Sequence, residues 1–273
     1  RRGFSTFVSC RSCGYVPHCP NCNISLTYHK FEDKLKCHYC GYERPNYKLC
    51  PKCGSNYIRY FGGGTQKVED ELKRLFPNAT TVRMDMDTTG KKQSHEKILQ
   101  KFEKDKIDIL IGTQMVSKGL DFDHVSVVGI LNADTMLNFP DFRSYERAFQ
   151  LMAQVAGRAG RKNKQGLVIL QTKSPDLPVI HQVMHNDYEQ LYYDQLAERQ
   201  MFKYPPYYRL IYVYLKHRKE DILDLAADTM AAQLRSGLGD RVLGPDKPPV
   251  ARIQTLFIKK MIVKVEQNAS IKK

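Results

Sequence analysis

The stretch "IDILIGTQMVSKGLDF", residues 107–122, runs from a short apolar segment directly into a polar, glycine-containing turn. Ile107, Ile109, Leu110 and Ile111 read as a strand covered on both faces, the kind that parallel sheets carry. The polar residues that follow lie at the carboxyl end of that strand, where open α/β sheets place their ligands. Neighbouring segments repeat the strand pattern: "VSVVGIL" (125–131), "GLVILQT" (166–172), "TTVRM" (80–84) and "YIRYF" (57–61). Between them lie helical stretches, in one of which Val68, Leu72, Leu75 and Phe76 share a face. This βαβα order predicts an α/β fold with a parallel sheet and helices on both sides.

Two more stretches carry chemistry at element ends. "GGGTQKVEDEL" (62–72) joins a strand to a helix through three glycines, and "QLMAQVAGRAGR" (150–161) ends a helix. In the second, Arg158 and Arg161 stand three residues apart among small residues, a spacing that suits bidentate capture of phosphate. Yet the chain contains no G-x-x-x-x-G-K-[ST] phosphate loop. Such arginines would then serve a nucleotide that something else holds.

All eight cysteines fall in the first 53 residues, as four C-x-x-C pairs: Cys10/Cys13, Cys19/Cys22, Cys37/Cys40 and Cys50/Cys53. A disulfide framework fits this repetition poorly, whereas paired thiolates on tight turns are zinc-knuckle geometry. Gly14, Gly41 and Gly54 follow three of the pairs and Asn23 the fourth, all residues that tolerate positive φ. Eight thiolates fill two closed four-cysteine sites, hence two structural Zn²⁺. Cys19/Cys22 and Cys37/Cys40 are 14 residues apart, close to ribbon spacing, which leaves Cys10/Cys13 and Cys50/Cys53 for a second, nested site. Sequential or crossed pairing stays open at this point. His18, His29 and His38 are surplus to saturated metals and are expected to be surface or packing residues.

The length of 273 residues suggests two domains with room for a small third, and a hydrophobic content of 42% supports real cores. No apolar run is long enough to span a bilayer. The chain begins at Arg1 and ends at Lys273 on a polar stretch, so both ends are expected to be cut from a longer protein. The net charge of +14 is concentrated at the two ends. Residues 1–60 hold 10 Lys/Arg against 3 Asp/Glu, residues 203–273 hold 14 against 7, and the middle is balanced. Basic ends favour nucleic-acid backbones. Two Zn²⁺ on eight thiolates would cut the surplus of 7 in the cysteine segment to 3. That favours a protein-docking or strand-separating role for the segment over a simple phosphate clamp.

Pro205-Pro206 marks a boundary, with "LYYDQLAERQMFKYPPYY" (191–208) as a helical connector. Beyond it, "YPPYYRLIYVYLKHR" (204–218) reads as a strand, "EDILDLAADTMAAQL" (220–234) as an amphipathic helix and "LFIKKMIVKV" (256–265) as a strand after the Pro-rich "GPDKPPVARI". That order fits a small α+β domain. Tyr212 and Tyr214 beside Lys and Arg either stack on single-stranded bases or pack a small core. The expected organisation is the start of a lobe at 1–9, a zinc-binding module at 10–56, an α/β lobe at 57–175, the connector at 176–205 and the C-terminal domain at 206–273.

"GTQMVSKGLDF" and "QVAGRAGR" resemble motifs V and VI of superfamily 2 helicases. With "FGGGTQKVEDEL" and the four C-x-x-C pairs, the resemblance narrows to the PriA family of bacterial replication-restart helicases. It covers nearly the whole chain and is thinnest after residue 175. It implies a RecA-like second helicase lobe with the zinc module inserted in it, "RRGFSTFV" (1–8) being lobe sequence, and a C-terminal DNA-binding domain folded like a small-subunit ribosomal protein. By position in the motifs, Arg158 and Arg161 would reach the γ-phosphate of ATP-Mg²⁺ held by a first lobe. Gln154 would orient the nucleotide, Gly119 and Asp121 would lie against it, and Thr113 and Lys118 would touch DNA. Asp134 could reach the cleft or cap the next segment. The implied activity is 3′-to-5′ unwinding of stalled or forked DNA with primosome and single-strand-binding proteins as partners. The implied location is the bacterial cytoplasm at the nucleoid. This chain alone would not hydrolyse ATP. Rival readings are a non-enzymatic zinc-ribbon scaffold, or an RNA helicase or other superfamily 2 translocase.

Overall fold

The computed structural model describes residues 7–85, 88, 94–113, 116, 125–157, 159–160 and 166–269. The chain forms two compact units, one of Arg1–Met115 with Tyr212–Val263 and one of Val116–Ile211 with Lys264–Lys273.

In the first unit, β1 (Phe7–Cys10) pairs antiparallel with β5 (Ile58–Phe61), Phe7 opposite Phe61 and Cys10 opposite Ile58. The rings of Phe7 and Phe61 stack with centroids 5.1 Å apart. Between these strands lies a three-stranded antiparallel sheet of β2 (Thr27–His29), β3 (Lys34–Lys36) and β4 (Glu43–Pro45), in that order. Its core is small: Val8, Leu26, Tyr28 and Leu35 are buried together with Cys19, Cys22 and Cys37. The segment 57–61, read from sequence as part of the parallel sheet, thus pairs antiparallel instead. It returns from the cysteine module beside the strand that enters it, and two neighbouring strands running in and out must be antiparallel.

After β5 come α1 (Thr65–Leu75), β6 (Thr81–Met84), α2 (Ser94–Lys104) and β7 (Ile109–Gly112). β6 and β7 are parallel, with Thr81 opposite Ile109 and Met84 opposite Gly112. Met84 and Ile111 are buried. Lys73 and Arg74 occupy the last turn of α1, where cations oppose the helix dipole, and Pro77 follows its C-cap. Of the predicted apolar face, Val68 and Leu72 are half-buried while Leu75 and Phe76 are exposed.

The second unit holds β8 (Val127–Ile130), α3 (Asp134–Leu137), α4 (Ser144–Ala156), β9 (Leu167–Leu170), α5 (Pro178–Met184) and α6 (Tyr188–Met201). β8 and β9 are parallel and in register from Val127–Leu167 to Ile130–Leu170. Ala148, Phe149 and Met152 of α4 pack with Leu137, Val179, Ile180 and Leu191 into one core. Pro178 opens α5, where a missing N–H costs nothing, and Asp187 caps α6 by accepting from the Gln190 N–H at 3.0 Å. The expected helical connector contains two helices, α5 and α6, with Asn186 at φ 53° between them.

The C-terminal elements are β10 (Tyr208–His217), α7 (Glu220–Leu238), β11 (Val242–Asp246), β12 (Arg252–Ile253) and β13 (Leu256–Glu266). The strands form one sheet in the order β10-β13-β11, with β12 also paired to β13. Leu223, Ala227 and Ala231 of α7 recur every four residues as a buried stripe of mostly small side chains. Gly239 at φ 60° ends that helix.

Candidate metal centres

The four knuckles are copies of one local structure. In each, the residue after the second cysteine donates its N–H to the carbonyl of the first: Gly14 to Cys10 at 2.9 Å, Asn23 to Cys19 at 2.8 Å, Gly41 to Cys37 at 3.0 Å and Gly54 to Cys50 at 2.8 Å. The first cysteine in turn donates its N–H to the carbonyl five residues on: Cys10 to Tyr15, Cys19 to Ile24, Cys37 to Tyr42 and Cys50 to Ser55, at 2.8–2.9 Å. Such a turn needs a left-handed residue after the second cysteine. Gly14, Asn23, Gly41 and Gly54 have φ of 72°, 52°, 76° and 73°.

The eight sulfurs collect into two groups, Cys10, Cys13, Cys50 and Cys53 in one and Cys19, Cys22, Cys37 and Cys40 in the other. Within each group all four lie within 4.8 Å of one another. The outer group shows Cys10–Cys53 at 3.7 Å and Cys13–Cys50 at 3.6 Å, and the inner group Cys19–Cys40 at 3.5 Å. A disulfide would need about 2.05 Å. A tetrahedron of sulfurs about 2.3 Å from zinc has an edge of about 3.8 Å, which the observed separations approach. Four thiolates leave no open coordination position, so the donor set suits a closed zinc site. The outer and inner knuckle pairs thus nest. Ser12 Oγ and Ser55 Oγ, 2.8 Å apart, tie the outer knuckles together. The inner group is the more buried, with Cys13 and Cys53 of the outer group reaching solvent.

Thiol acidity differs from sulfur to sulfur within each group, set by burial and hydrogen bonding. Burial pushes the Cys22 thiol up to about 12 against the pull of the Gln254 N–H. Burial also works against Cys40, but the Tyr42 N–H and the neighbouring thiols bring it to about 7. In the outer group burial raises Cys10, yet the N–H groups of Cys13 and Ser12 and the Cys53 thiol outweigh it and leave it at about 6. The Ser55 N–H draws Cys53 down, but the thiols of Cys13 and Cys10 and burial carry it up to about 12. Each group thus contains one thiol drawn down and another pushed up by its surroundings. A bound dication would favour the thiolate form of its ligands.

The histidines stay off the sulfur groups. His29 Nε2 and His38 Nε2 face each other at 3.3 Å on the exposed side of the module, and His18 forms an isolated β-bridge with Ser25.

Elsewhere, Thr113 follows the end of β7 directly. Gln154 lies in the last turn of α4 with its side chain exposed. Lys118, Gly119, Asp121, Arg158 and Arg161 lie outside the described residues. Asp134 opens α3 and accepts from Thr172 Oγ1 at 2.8 Å and from the Lys173 N–H at 3.0 Å. The Thr172 hydroxyl, then the Lys173 N–H, hold its carboxyl below the usual range, so it braces α3 against the end of β9. Tyr212 and Tyr214 are 44% and 53% exposed on one face of β10 with Lys216, while Val213 and Leu215 turn inward. Lys260 Nζ sits 4.2 Å from the Tyr212 ring centroid.

Sequence reasoning missed Asp85. It is fully buried at the end of β6, accepts from Thr65 Oγ1 and pairs with Arg83 Nε at 3.0 Å. Thr88 returns its N–H to Asp85 Oδ1 at 3.0 Å. The carboxylate thereby fixes the start of α1, whose N-cap is Gly64 with no side-chain cap. The signal available was an acidic residue directly after a strand, opposite the "GGGTQ" turn.

Residues 19–45 match the family described as the PriA DNA helicase Cys-rich region domain, and residues 55–163 match the helicase conserved C-terminal domain. The chain is 48% identical over 273 residues to the replication restart protein PriA of Bacillus subtilis, covering 99% of this chain and 34% of that protein. It is 43% identical over 270 residues to the protein of the same name from Synechocystis, covering 97% and 32%, respectively. With that of Treponema pallidum it shares 42% over 258 residues, covering 93% and 39%. The chain therefore spans about a third of the length of these relatives.

Proposed function

We propose, from the premise that this chain belongs to the PriA family of replication restart proteins, that it is the C-terminal part of an ATP-dependent 3′-to-5′ DNA helicase. The observation that carries this reading is the match of residues 55–163 to a helicase C-terminal domain, a span that takes in "QVAGRAGR". The lobe would comprise residues 57–175 and receive the zinc module, residues 10–56, as an insert, with the connector at 176–205 and a DNA-binding domain, ribosomal-protein-like in fold, at 206–273. Each sulfur group holds one structural Zn²⁺, two per chain.

In sequence, Arg158 and Arg161 come shortly after Ala156, the last residue of α4. They act in trans on the γ-phosphate of ATP-Mg²⁺ bound by a first lobe that carries the phosphate loop. Arginine forks stabilise charge that develops as the terminal phosphoryl group moves, so they work on the transition state more than on ground-state binding. Gln154 orients the nucleotide, and Gly119 and Asp121 line it. Thr113 and Lys118 bear on the DNA backbone, and Tyr212 and Tyr214 offer exposed rings to single-stranded bases. Substrates are single-stranded and forked DNA. Primosome and single-strand-binding proteins are partners, and the site of action is the bacterial cytoplasm at the nucleoid.

The test is steady-state ATPase with saturating DNA in a protein containing both lobes. Arg158→Ala and Arg161→Ala should each lower turnover by on the order of 10³–10⁵ while leaving DNA binding near normal. Arg→Lys should rescue poorly because an ammonium lacks the planar fork. The 273-residue chain alone should show no ATPase. Near-normal turnover in both alanine variants would refute the assignment.

A further inference from the structure

The β12–β13 turn reaches the inner sulfur group. Arg252 pairs with Phe257 and Ile253 with Leu256, which leaves Gln254 and Thr255 as a two-residue hairpin turn. Both have positive φ, 47° and 72°. Two-residue turns of that kind strongly prefer asparagine and glycine, and a β-branched residue in the left-handed region is a real outlier. Such strain persists only where surroundings hold it. Here the surroundings are the second knuckle. The Gln254 N–H donates to Cys22 Sγ at 3.5 Å and the Thr255 N–H to the Asn21 carbonyl at 3.0 Å. Ile253 packs against the core that contains Cys19, Cys22 and Cys37. Both N–H groups of the strained turn are thus spent on the loop that presents Cys22, a residue 232 positions away in sequence.

We propose that Gln254 and Thr255 are positioning residues of the inner zinc site, so that zinc binding and the seating of the β12–β13 hairpin are one coupled equilibrium. Four thiolates around Zn²⁺ carry a net charge of −2, and Cys19, Cys22 and Cys37 are almost wholly buried. A buried anion needs donors, and an N–H aimed at a ligating sulfur supplies one while fixing the ligand's direction. Besides Gln254, the inner sulfurs receive the Asn21 amide at 3.8 Å on Cys40. Among the described residues, the hydrogen bonds of the outer sulfurs to atoms beyond their own knuckles run to one another. The outer site therefore serves as an internal control. The hairpin senses the metal through the same bonds by which it supports it.

The inference goes beyond the helicase reading and requires only that the sulfur groups hold zinc. The test uses the chain loaded with ¹¹³Cd in place of zinc, which should give two resonances. A through-bond correlation should link the Gln254 amide proton to one of them. Replacing the Gln254 amide by an ester deletes the N–H alone. It should shift that resonance and leave the other unmoved, and in the zinc-loaded chain it should speed chelator removal of one of the two zincs by about tenfold or more. The pair Gln254→Asn, Thr255→Gly keeps both N–H groups in a favoured turn and should release zinc at the parental rate. Hydrogen exchange needs no variant. The Gln254 amide should be protected in the loaded chain and lose protection when the inner metal is stripped. An unprotected Gln254 amide in the loaded chain, or unchanged resonances and release in the ester, overturns the proposal. Absence of bound metal would instead fail the zinc reading itself.

Discussion

Replacing Gly41 with alanine isolates what the knuckle geometry costs. Gly41 has φ 76°, and a Cβ built there meets nothing within 4 Å. No clash contributes, so the penalty is the left-handed backbone of an L-residue, about 1–2 kcal/mol. The turn cannot relax to escape it, because the Gly41 N–H is bound to the Cys37 carbonyl at 3.0 Å. Zinc holds the knuckle in this conformation, so the penalty appears in metal affinity. About 1.4 kcal/mol is tenfold, which makes the expected loss roughly fivefold to thirtyfold. Gly14 and Gly54, at φ 72° and 73° with equally open surroundings, should behave alike when changed to alanine. Asn23→Gly should be near neutral, since φ 52° is as easy for glycine. Gly237→Ala is the control of opposite sign. It lies inside α7 with nothing within 4 Å, and alanine there should stabilise by roughly 0.5–1 kcal/mol. Competition with a chromophoric chelator measures the zinc term, and thermal unfolding measures the helix term. A zinc affinity within about twofold of the parent for all three alanine variants would show that the positive φ does not govern the sites.

Cys19→Ser should lower bound zinc from two to one per chain by metal analysis, because the outer sulfurs form a separate group; loss of both metals would mean the two sites fold as one. Asp134→Asn should destabilise the unit around α3 at neutral pH. Its carboxyl is held below the ordinary 3.8 by Thr172 and Lys173, so its contribution is present above that value and lost as pH falls through the folded pKa. Denaturant titrations near pH 7 and pH 3 should show the gap between variant and parent closing at the acid end, and a gap independent of pH would refute the bracing role.

The cysteines were legible because metal ligation is written in spacing. Four C-x-x-C pairs with Gly or Asn after each specify the knuckles, and the 14-residue interval suggested the nested partners. What spacing could not give was the contact from residues 254 and 255, which depends on tertiary placement of a turn with no glycine to announce it. The strands at 80–84, 107–113, 125–131 and 166–172 were readable from apolar runs, and the structure pairs them in parallel as β6–β7 and β8–β9. Apolar runs say nothing about partners, which is why the segment at 57–61 was assigned to the wrong kind of pairing. Exposure was also beyond reach. Val127, Leu167 and Ile169 sit in runs that read as covered on both faces, yet one face of β8 and β9 is open to solvent. Asp85 escaped notice because a single carboxylate after a strand has no periodicity, only a three-dimensional partner in Thr65.

The antiparallel closure of β1 on β5 bears on how a metal module could be inserted in the proposed helicase lobe. Cys10 is opposite Ile58, so the chain leaves and returns at neighbouring points and the residues between them need not disturb the path on either side. A segment of that size buries too little apolar surface to fold on hydrophobic contact alone. Here the sulfur groups stand where a larger core would be, with Cys19, Cys22 and Cys37 packed among Val8, Leu26 and Leu35. Metal binding then supplies folding free energy directly. The arrangement supports the proposed insertion, because a module stabilised by its own metals asks little of the host. The hairpin at Gln254 and Thr255 ties the inner cluster to the C-terminal sheet. Loss of the inner metal should therefore be felt in that sheet before it is felt in β6 and β7, and the order in which their amides lose protection on chelation distinguishes a coupled module from an isolated one.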